Sequence, residues 1–438
     1  MGIAIQLENP QHTHRYPSFI EEALKLYQKN YYDQSYQGEH ILHSKTPNAN
    51  AIFFTSNDYL HISQHPDLLN AKIAALNQYG NGMMQSPVFL EQDSLFNATE
   101  TKFATFLNVE TCLLSQSGWC ANTGLIQALA KPNLPVYIDF YAHMSFWEGI
   151  KAAGAKPVPF SHNDIQSLRK RLERFGPGLI AIDAIYSTTG TICPLKAFLQ
   201  LAKEYDCLLI IDESHTLGAY GPNGQGLTRA LGITTHPHST SRGLSAGSSH
   251  FPSIMDPADK PRGVDVMEAS NILISASLSK TLSGRGGLVA GDKALIQLIR
   301  HNAFPTIFSS ALLPHDLAGF QAALDIVQNE PWRRAELHQK SEYLRGALKD
   351  IGCDIGETAS QIIPLMTYTE KNTIALKQKL ENDDIYGAVF CAPATPKNSA
   401  LIRLSVNAHH TQQQLDHVIA CIKSYGYINA SVSSASKY

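Results

Sequence analysis

The chain has 438 residues, of which 44% are hydrophobic, so it can bury a large core and more than one structural unit. Only 17% of the residues are charged and the formal net charge is −3, which argues against a nucleic-acid-binding surface. No apolar run reaches the roughly 20 residues of a membrane span, and the first residues do not resemble an export signal. The seven cysteines are scattered without a C-x-x-C pair, so we expect a cytoplasmic, reduced protein without a metal site.

Strand-like and helix-like segments alternate along most of the chain. A polar, tyrosine-rich start contains one expected helix, in SFIEEALKLYQKN. Short apolar runs follow in TCLLSQSG, PVYIDF, GLIAIDAIYS and CLLIIDESH, and helical patterns such as DIQSLRKRLERFG and LKAFLQLAKEYD lie between them. This alternation predicts an α/β fold with a mostly parallel central sheet and helices on both faces. In such a sheet the carboxyl ends of the strands line the ligand crevice.

We divide the chain into three parts. Residues 1–50 are expected to form an N-terminal segment that packs with the small domain, residues 51–300 the large domain, and residues 301–438 a smaller α+β domain. Residues 233–268 are rich in Ser, Gly, Pro and His without periodicity, which predicts a long inserted surface loop. The histidines of this segment, at positions 236, 238 and 250, are not accompanied by other residues in the spacing of a metal site, so no bound metal is predicted. The tail INASVSSASKY is expected to be a frayed end.

The turn in LLSQSGWCANTG joins a strand-like run to a helix-like segment. It can place the backbone N–H groups of Ser117, Gly118 and Trp119 at a helix N-terminus, where phosphate binding is favoured. Many strand–helix turns contain Ser and Gly for structural reasons alone. His143 follows the next strand-like run, where a lone histidine is more often a core or cap residue than a cofactor contact.

Asp212 follows five apolar residues, so its carboxylate emerges at the carboxyl end of a buried strand. A buried carboxylate needs a cation or a strong donor, although Asp is also a common helix N-cap. His215 comes three residues later, and the glycine-rich run after it lets the backbone pass close to a ligand.

Lys280 lies where the apolar run of NILISASLSKTLSGRGG ends. A lysine at a strand end is commonly a surface residue, but desolvation at such a position also supplies the neutral amine that a Schiff base requires. Ser277 and Ser279 offer hydroxyl groups, and glycines follow. Phosphate donors, a carboxylate for a pyridinium nitrogen and an amine for an aldehyde together predict pyridoxal 5'-phosphate (PLP) as the cofactor.

With these motifs in order, the sequence resembles the α-oxoamine synthases, which are fold-type-I PLP enzymes with a small α+β domain. The matching strings are SNDYL, SGWCAN, DESHTLG, ASLSKTLSGRGG, IFSSALLP and IRLSVNA, and they span residues 55–407. The longer strings YIDFYAHMSFWEG, AIYSTTGTICPL and FCAPATPKN are most similar to the quorum-sensing α-hydroxyketone autoinducer synthases within that family.

The resemblance implies a role for each matching residue around the cofactor. Lys280 binds the PLP aldehyde, Asp212 pairs with the pyridine nitrogen, His215 lies beside the phenolic oxygen and His143 stacks on the ring. Ser187 lies near His215. The remaining implied contacts are to the phosphate, from Ser117, Gly118, Trp119 and Ser277 and, across a homodimer interface, from Ser309 and Ser310.

On the substrate side, the resemblance implies that Arg403 grips an α-carboxylate with its bidentate fork and that Asn57 lies near the dimer interface. Without the resemblance, a surface salt bridge and a turn would be the simpler interpretations of these two residues. The sequence departs from the family in one relevant segment: GMMQSPVFLEQD stands where many relatives carry a GSGGSR-like stretch, so the usual thioester contacts are in doubt. The insertion at 233–268 is a second departure.

The implied reaction joins an acyl-CoA to an amino donor, either S-adenosylmethionine or a small amino acid, and yields a precursor of a long-chain α-hydroxyketone signal. An α-oxoamine synthase that makes a biotin, haem or sphingolipid precursor, and a PLP aminotransferase, are the alternatives with the same core residues. A PLP-binding regulatory protein would need a DNA-binding appendage, and no basic helix-turn-helix-like segment is evident.

Overall fold

The structure is a computed structural model, and it describes residues 16–27, 44–82, 84–234, 267–392 and 394–426. The expected tail, nearly all of the predicted insertion with its histidines, and much of the N-terminal segment lie outside these residues. The division into three domains therefore stays a prediction.

The helices agree with the helical sequence patterns, including the expected first helix and the two amphipathic stretches between strands. The α-helices are α1 Ser18–Tyr27, α2 Pro66–Tyr79, α3 Leu95–Leu107, α4 Gly118–Leu129, α5 Met144–Ala152, α6 Ile165–Phe175, α7 Leu195–Glu204, α8 Leu227–Ala230, α9 Lys293–Asn302, α10 Phe304–Ile307, α11 Pro314–Asn329, α12 Trp332–Asp350, α13 Glu370–Asn382 and α14 Gln412–Ser424.

The strands are short, and those predicted from apolar runs end within their runs. They are β1 Ile52–Phe53, β2 Thr111–Ser115, β3 Pro135–Asp139, β4 Lys156–Phe160, β5 Leu179–Asp183, β6 Leu208–Asp212, β7 Ile233–Thr234, β8 Met267–Glu268, β9 Ile272–Ser277, β10 Gly287–Gly291, β11 Ile362–Tyr368, β12 Ile385–Tyr386, β13 Ala388–Phe390 and β14 Ala400–Ser405.

The central sheet has seven strands in the order β2-β10-β9-β6-β5-β3-β4. Strand β10 runs antiparallel to its neighbours β2 and β9, and the other pairs are parallel. The predicted mostly parallel sheet is therefore confirmed. Six strands point the same way, so their carboxyl ends lie along one edge, where a ligand crevice is expected in this architecture.

The strands of the central sheet are apolar on both faces because helices cover both faces. In β6, Leu209 and Ile211 pack into the hydrophobic core of one face, whereas Ile210 between them packs into the core of the other. Successive side chains of a strand point to opposite faces, so a run without polar residues is the pattern of a doubly covered strand. This burial holds the strand ends in fixed positions.

The C-terminal part of the chain contains a three-stranded antiparallel sheet, in the order β11-β14-β13. Strand β1 pairs in parallel with β12, so the chain near residue 52 is tied to this part as well. At the two ends of the predicted insertion, β7 and β8 form a short parallel pair. Among the residues described, no helix combines the length and apolar character needed to cross a bilayer.

Candidate active site

Polar residues lie at or just after the ends of three neighbouring strands, along the same edge of the central sheet. Strand β5 ends at Asp183 and β6 at Asp212, which are direct partners in the parallel register. On the other side of β6, Asp212 is aligned with Ser275 of β9, and β9 ends at Ser277, three residues before Lys280. The sheet itself therefore brings Asp212 and Lys280 together, although 68 positions separate them in the sequence.

Lys280 is partly buried and surrounded by charged groups. Desolvation lowers the pKa of its ammonium group below the ordinary value. Asp212 and, when it is ionised, Asp183 act in the opposite direction, and Arg403 lowers the pKa further. A lowered pKa increases the fraction of neutral amine at a given pH, and the neutral amine is the nucleophilic form.

Asp212 is buried and held in place by two N–H donors. The Asn122 side-chain amide donates to its Oδ2 at 2.7 Å, and the backbone N–H of Ser214 donates to its Oδ1 at 2.8 Å. These donors offset part of the cost of burying the carboxylate and fix its direction.

His143 is linked to Asp212 through two side chains. Its Nδ1 lies 2.7 Å from the hydroxyl oxygen of Ser145, which also accepts a hydrogen bond from Asn122 at 3.0 Å. The His143 ring lies edge to face with Trp119, with ring centroids 6.0 Å apart. Burial lowers the pKa of His143, so the neutral ring is favoured near pH 7. A neutral, fixed imidazole suits stacking on an aromatic cofactor.

The predicted phosphate cradle lies where α4 begins against the end of β9. Ser117 is the N-cap of α4, and its hydroxyl accepts a hydrogen bond from the backbone N–H of Cys120 at 3.1 Å. A Cβ atom on Gly118 would lie only 2.5 Å from the Cβ of Ser277, so the backbone of Gly118 packs directly against the Ser277 side chain. The Ser277 hydroxyl lies 2.9 Å from that of Ser279. The first N–H groups of a helix have no intrahelical acceptor, so this end of α4 favours an anion.

Replacing Gly118 with alanine is expected to weaken PLP binding and to destabilise the fold by about 1–3 kcal/mol, because the added methyl group would overlap Ser277. The PLP dissociation constant, from titration of the absorption spectrum, and chemical unfolding test this. Gly346→Ala is the matched control: an added Cβ in mid-helix α12 meets nothing within 4 Å, and alanine favours a helix over glycine by about 1 kcal/mol. Unchanged PLP affinity in Gly118→Ala would contradict the prediction.

His215 is buried and fixed by contacts at both its ring and its backbone. Its Nδ1 lies 2.6 Å from the hydroxyl oxygen of Tyr59, and its carbonyl oxygen accepts a hydrogen bond from the Gln361 side chain at 2.8 Å. Burial lowers the pKa of His215 well below the ordinary value, and the positive charges of Lys280 and Arg403 lower it further. The ring is therefore neutral near pH 7 and carries a single proton.

Arg403 comes from β14 and reaches the same site from the C-terminal part of the chain. One guanidinium nitrogen, Nη1, donates to the carbonyl oxygen of Ser187 at 2.9 Å, and Nη2 contacts the Asn57 side-chain oxygen at 3.3 Å. The guanidinium lies over the ring of Phe390, 4.9 Å from its centroid. Its Nε is buried without a hydrogen-bond partner, and Arg403 is only 6% exposed. A buried, incompletely paired guanidinium is suited to bind an anion.

Ser309 and Ser310 lie beside the phosphate-side turn of their own chain. The side chain of Gln116, next to Ser117, donates to the carbonyl oxygen of Ser310, and the Ser309 hydroxyl donates to the carbonyl oxygen of Pro305. The divergent segment GMMQSPVFLEQD meets the same region, since the Ser86 hydroxyl donates to the Ile307 carbonyl oxygen at 2.6 Å. Phosphate contacts of Ser309 and Ser310 across a subunit interface stay a prediction.

The sequence motifs did not identify four residues that hold the predicted site residues in place by hydrogen bonds: Tyr59, Asn122, Asp183 and Gln361. Tyr59 and Asn122 are part of the quoted strings SNDYL and SGWCAN, but nothing in a string tells which side chains turn inward. Asp183 did have a local signal, because LIAID of β5 ends in Asp as LLIID of β6 does. Gln361 had no signal, since its contact with His215 depends on packing between distant segments.

A comparison with known protein families identifies the class to which this fold and site belong. The chain matches the family model "Aminotransferase class I and II" over residues 49–422, and it belongs to that family.

Individual relatives lie among the α-oxoamine synthases, as expected from the motifs. The chain is 39% identical to the CAI-1 autoinducer synthase of Vibrio campbellii over 412 residues, which cover 94% of this chain and 96% of that protein. It is 30% identical to the serine palmitoyltransferase of Sphingobacterium spiritivorum, with 84% of each chain covered. It is 29% identical to a putative 8-amino-7-oxononanoate synthase of Acetivibrio thermocellus, over 86% of this chain and 88% of the other. The predicted family relationship is confirmed.

Solved structures confirm the fold class. A serine palmitoyltransferase of Sphingomonas wittichii superposes with a TM-score of 0.75 at 24% identity, over 93% of this chain and 96% of the other. A structure of SPT with a PLP internal aldimine gives a TM-score of 0.76 at 23% identity, with the same coverage. The fold-type-I architecture predicted from the sequence is therefore present.

The residues at the strand ends fit PLP as the cofactor. Each chemical group of PLP has a matching residue: the amine of Lys280 for its aldehyde, the carboxylate of Asp212 for its pyridine nitrogen and the N-terminus of α4 for its phosphate. The close packing of Gly118 on Ser277 supports the last assignment, because it holds the Ser277 side chain beside the start of α4.

Proposed function

We propose that the chain is a PLP-dependent condensing enzyme that joins the Cα atom of an amino donor to the acyl carbon of an acyl-CoA. Its product would be a long-chain α-aminoketone that is the precursor of an α-hydroxyketone signal, and its amino donor S-adenosylmethionine or a small amino acid. One observation carries this proposal: the buried, incompletely paired guanidinium of Arg403 is linked through Asn57 and Tyr59 to His215, which follows the strand end that carries Asp212. The site thus combines a binder for a carboxylate with the residues for amine chemistry.

The similarity to the CAI-1 autoinducer synthase over nearly the full length of both chains supports the same substrate class. The chemistry requires PLP, as in the relatives. Bound PLP supplies an electron-withdrawing ring conjugated to the donor nitrogen, so that negative charge at Cα is stabilised.

The residues of the chain then have separate tasks. Arg403 binds the donor carboxylate and so fixes the direction of the Cα–H bond. Lys280, with its lowered pKa, is the base that takes the Cα proton. With the cofactor bound, Asp212 would hold the proton at the pyridine nitrogen and His143 would stack on the ring. The carbon–carbon bond would form between Cα and the thioester carbonyl carbon as the CoA thiolate leaves. The donor carboxylate would then be lost as CO₂, and the proton held by Lys280 would return to Cα in its place.

A second candidate is another α-oxoamine synthase activity. It is favoured by the 29–30% identity to proteins described as an 8-amino-7-oxononanoate synthase and a serine palmitoyltransferase. The difference lies in the substrates only, so a substrate panel separates the two.

The PLP-loaded protein is expected to release free CoA only when an acyl-CoA and an amino donor are both present. A thiol reagent measures CoA, and mass spectrometry of the product identifies the acyl chain and the donor. A medium- or long-chain α-aminoketone would support the autoinducer-type activity. A product of pimeloyl-CoA, or of a long-chain acyl-CoA with serine as the donor, would identify the second candidate instead, so an autoinducer-type product must carry a donor other than serine. Conversion of the donor to its keto acid without CoA release would contradict both, because it is the reaction of an aminotransferase.

The proposal includes a homodimer with shared active sites and a cytoplasmic location. Acyl-CoA and S-adenosylmethionine are cytoplasmic metabolites, which is consistent with that location. In a homodimer, Ser309 and Ser310 of one subunit would reach the phosphate bound by the partner, as the family resemblance implies.

A further inference from the structure

Tyr59 lies at the centre of a chain of polar contacts that crosses the candidate site. Its side chain is fully buried, and its hydroxyl oxygen lies 2.6 Å from Nδ1 of His215 and 3.2 Å from the side-chain oxygen of Asn57. Asn57 in turn contacts Arg403 at 3.3 Å. Tyr59 therefore connects the arginine that faces the substrate carboxylate with the histidine beside the cofactor site.

The Tyr59 hydroxyl has one proton and two neighbouring acceptors, Nδ1 of His215 and the side-chain oxygen of Asn57. Hydrogen bonds from O–H donors are typically about 2.5–3.0 Å long and those from N–H donors about 2.7–3.2 Å. The 2.6 Å contact with His215 is the shorter of the two, so we take the phenol as the donor and Nδ1 as the acceptor in it. The Asn57 oxygen, 3.2 Å from the hydroxyl, also accepts a hydrogen bond from Nη2 of Arg403 at 3.3 Å, so it keeps a donor when the Tyr59 proton is shared with or turned toward His215.

This donor assignment determines the tautomer of His215. A neutral imidazole has one N–H, and the nitrogen that accepts a hydrogen bond cannot carry it. With Nδ1 occupied as an acceptor, the proton lies on Nε2, on the side of the ring away from the Tyr59 hydroxyl.

We propose that Tyr59 is a positioning residue that holds His215 as the Nε2–H tautomer, so that the histidine presents a hydrogen-bond donor to an anionic oxygen of the cofactor or substrate. This inference rests on the proposed function, because it assigns His215 to the PLP site. Without the Tyr59 hydroxyl, the neutral imidazole of His215 could flip or carry its proton on Nδ1. It would then present a hydrogen-bond acceptor to an oxygen of the cofactor or substrate that bears negative charge.

The backbone of His215 has a second support, which serves as a control. Gln361 donates to the His215 carbonyl oxygen at 2.8 Å, and its own oxygen accepts a hydrogen bond from the buried hydroxyl of Tyr220 at 3.0 Å. Tyr220→Phe thus removes a buried phenol hydroxyl near the same histidine without touching its ring.

The test compares Tyr59→Phe with Tyr220→Phe in the PLP-loaded protein. Two-bond ¹H–¹⁵N correlation spectra of ¹⁵N-histidine-labelled protein identify the tautomer of each neutral histidine, and the spectrum of His215→Gln assigns the signal of His215. We expect the Nε2–H tautomer in the wild type and in Tyr220→Phe, and its loss or mixing with Nδ1–H in Tyr59→Phe. In the same variant kcat should fall about tenfold, with KM for both substrates within about twofold, because the removed interaction acts through His215 and not on substrate binding.

An Nδ1–H tautomer in the wild type, or an unchanged Nε2–H tautomer in Tyr59→Phe, would overturn the inference. Thermal unfolding of both variants shows whether each is folded. If Tyr59→Phe does not fold, the wild-type tautomer alone still decides, since Nδ1–H excludes the proposed donor direction. The spectra do not depend on which product the enzyme makes, so a failure of the CoA-release experiment remains distinguishable from a failure of this inference.

Discussion

Replacing Lys280 with alanine is expected to abolish both turnover and the visible absorption band of lysine-bound PLP. The Lys280 amine, three residues after the end of β9, can form a Schiff base with the cofactor aldehyde, and it is also the proposed base for the Cα proton. Removing a residue with both tasks should lower turnover by about 10³-fold or more. The absorption spectrum of the PLP-loaded protein and the CoA-release assay measure the two effects separately.

The control for this experiment is Lys293→Ala, at the exposed start of α9, which removes a lysine without changing the site. It should keep the absorption band and the wild-type rate. Borohydride reduction followed by peptide mass spectrometry adds a direct test, because the reduced cofactor should be found on Lys280. Retained turnover in Lys280→Ala, or reduction on a different lysine, would show that the assignment is wrong.

The central sheet and its strand-end residues could be predicted from the sequence because the signals are local. Asp212 follows a continuous apolar run and Lys280 follows another, and a doubly covered parallel sheet must place such strand ends along one edge. The order of the strands was not predictable in this way. The insertion of β10 between β2 and β9 depends on which hydrophobic faces match across the whole sheet.

Residues that act through distant contacts were accessible only through the family resemblance or not at all. Asn57 and Arg403 are separated by 346 positions, and no local pattern indicates that they meet. Tyr59 illustrates the harder case: its ring is apolar and fits a core position, and only the folded structure shows that its hydroxyl ends against His215. A pattern of hydrophobic residues does not indicate where the hydroxyl group of a buried tyrosine makes its hydrogen bonds.

The contrast between Asp212 and Asp183 leads to the second prediction: Asp212→Asn should lose most activity, whereas Asp183→Asn should keep it. The two carboxyl groups are register partners at the ends of adjacent strands, so both cannot easily be charged. Burial raises the pKa of Asp183 well above its ordinary value, and the nearby Asp212 raises it further. Burial thus favours the neutral form of Asp183, whereas Asp212 accepts two N–H hydrogen bonds that suit a carboxylate.

The effects of the two substitutions follow from this difference. Asparagine at position 212 has no charge to hold a proton at the pyridine nitrogen, and turnover should fall by about 100-fold or more. Its amide would also face one of the two N–H donors that now bind Asp212, so the free energy of unfolding should decrease.

Asparagine at position 183 replaces a neutral acid of the same shape that accepts a weak 3.3 Å hydrogen bond from the His143 backbone. This substitution should lower the free energy of unfolding by about 1 kcal/mol. Turnover, the absorption spectrum of bound PLP and chemical unfolding of both variants distinguish the two cases. Equal losses of activity would mean that the negative charge is shared by the pair and is not located on Asp212.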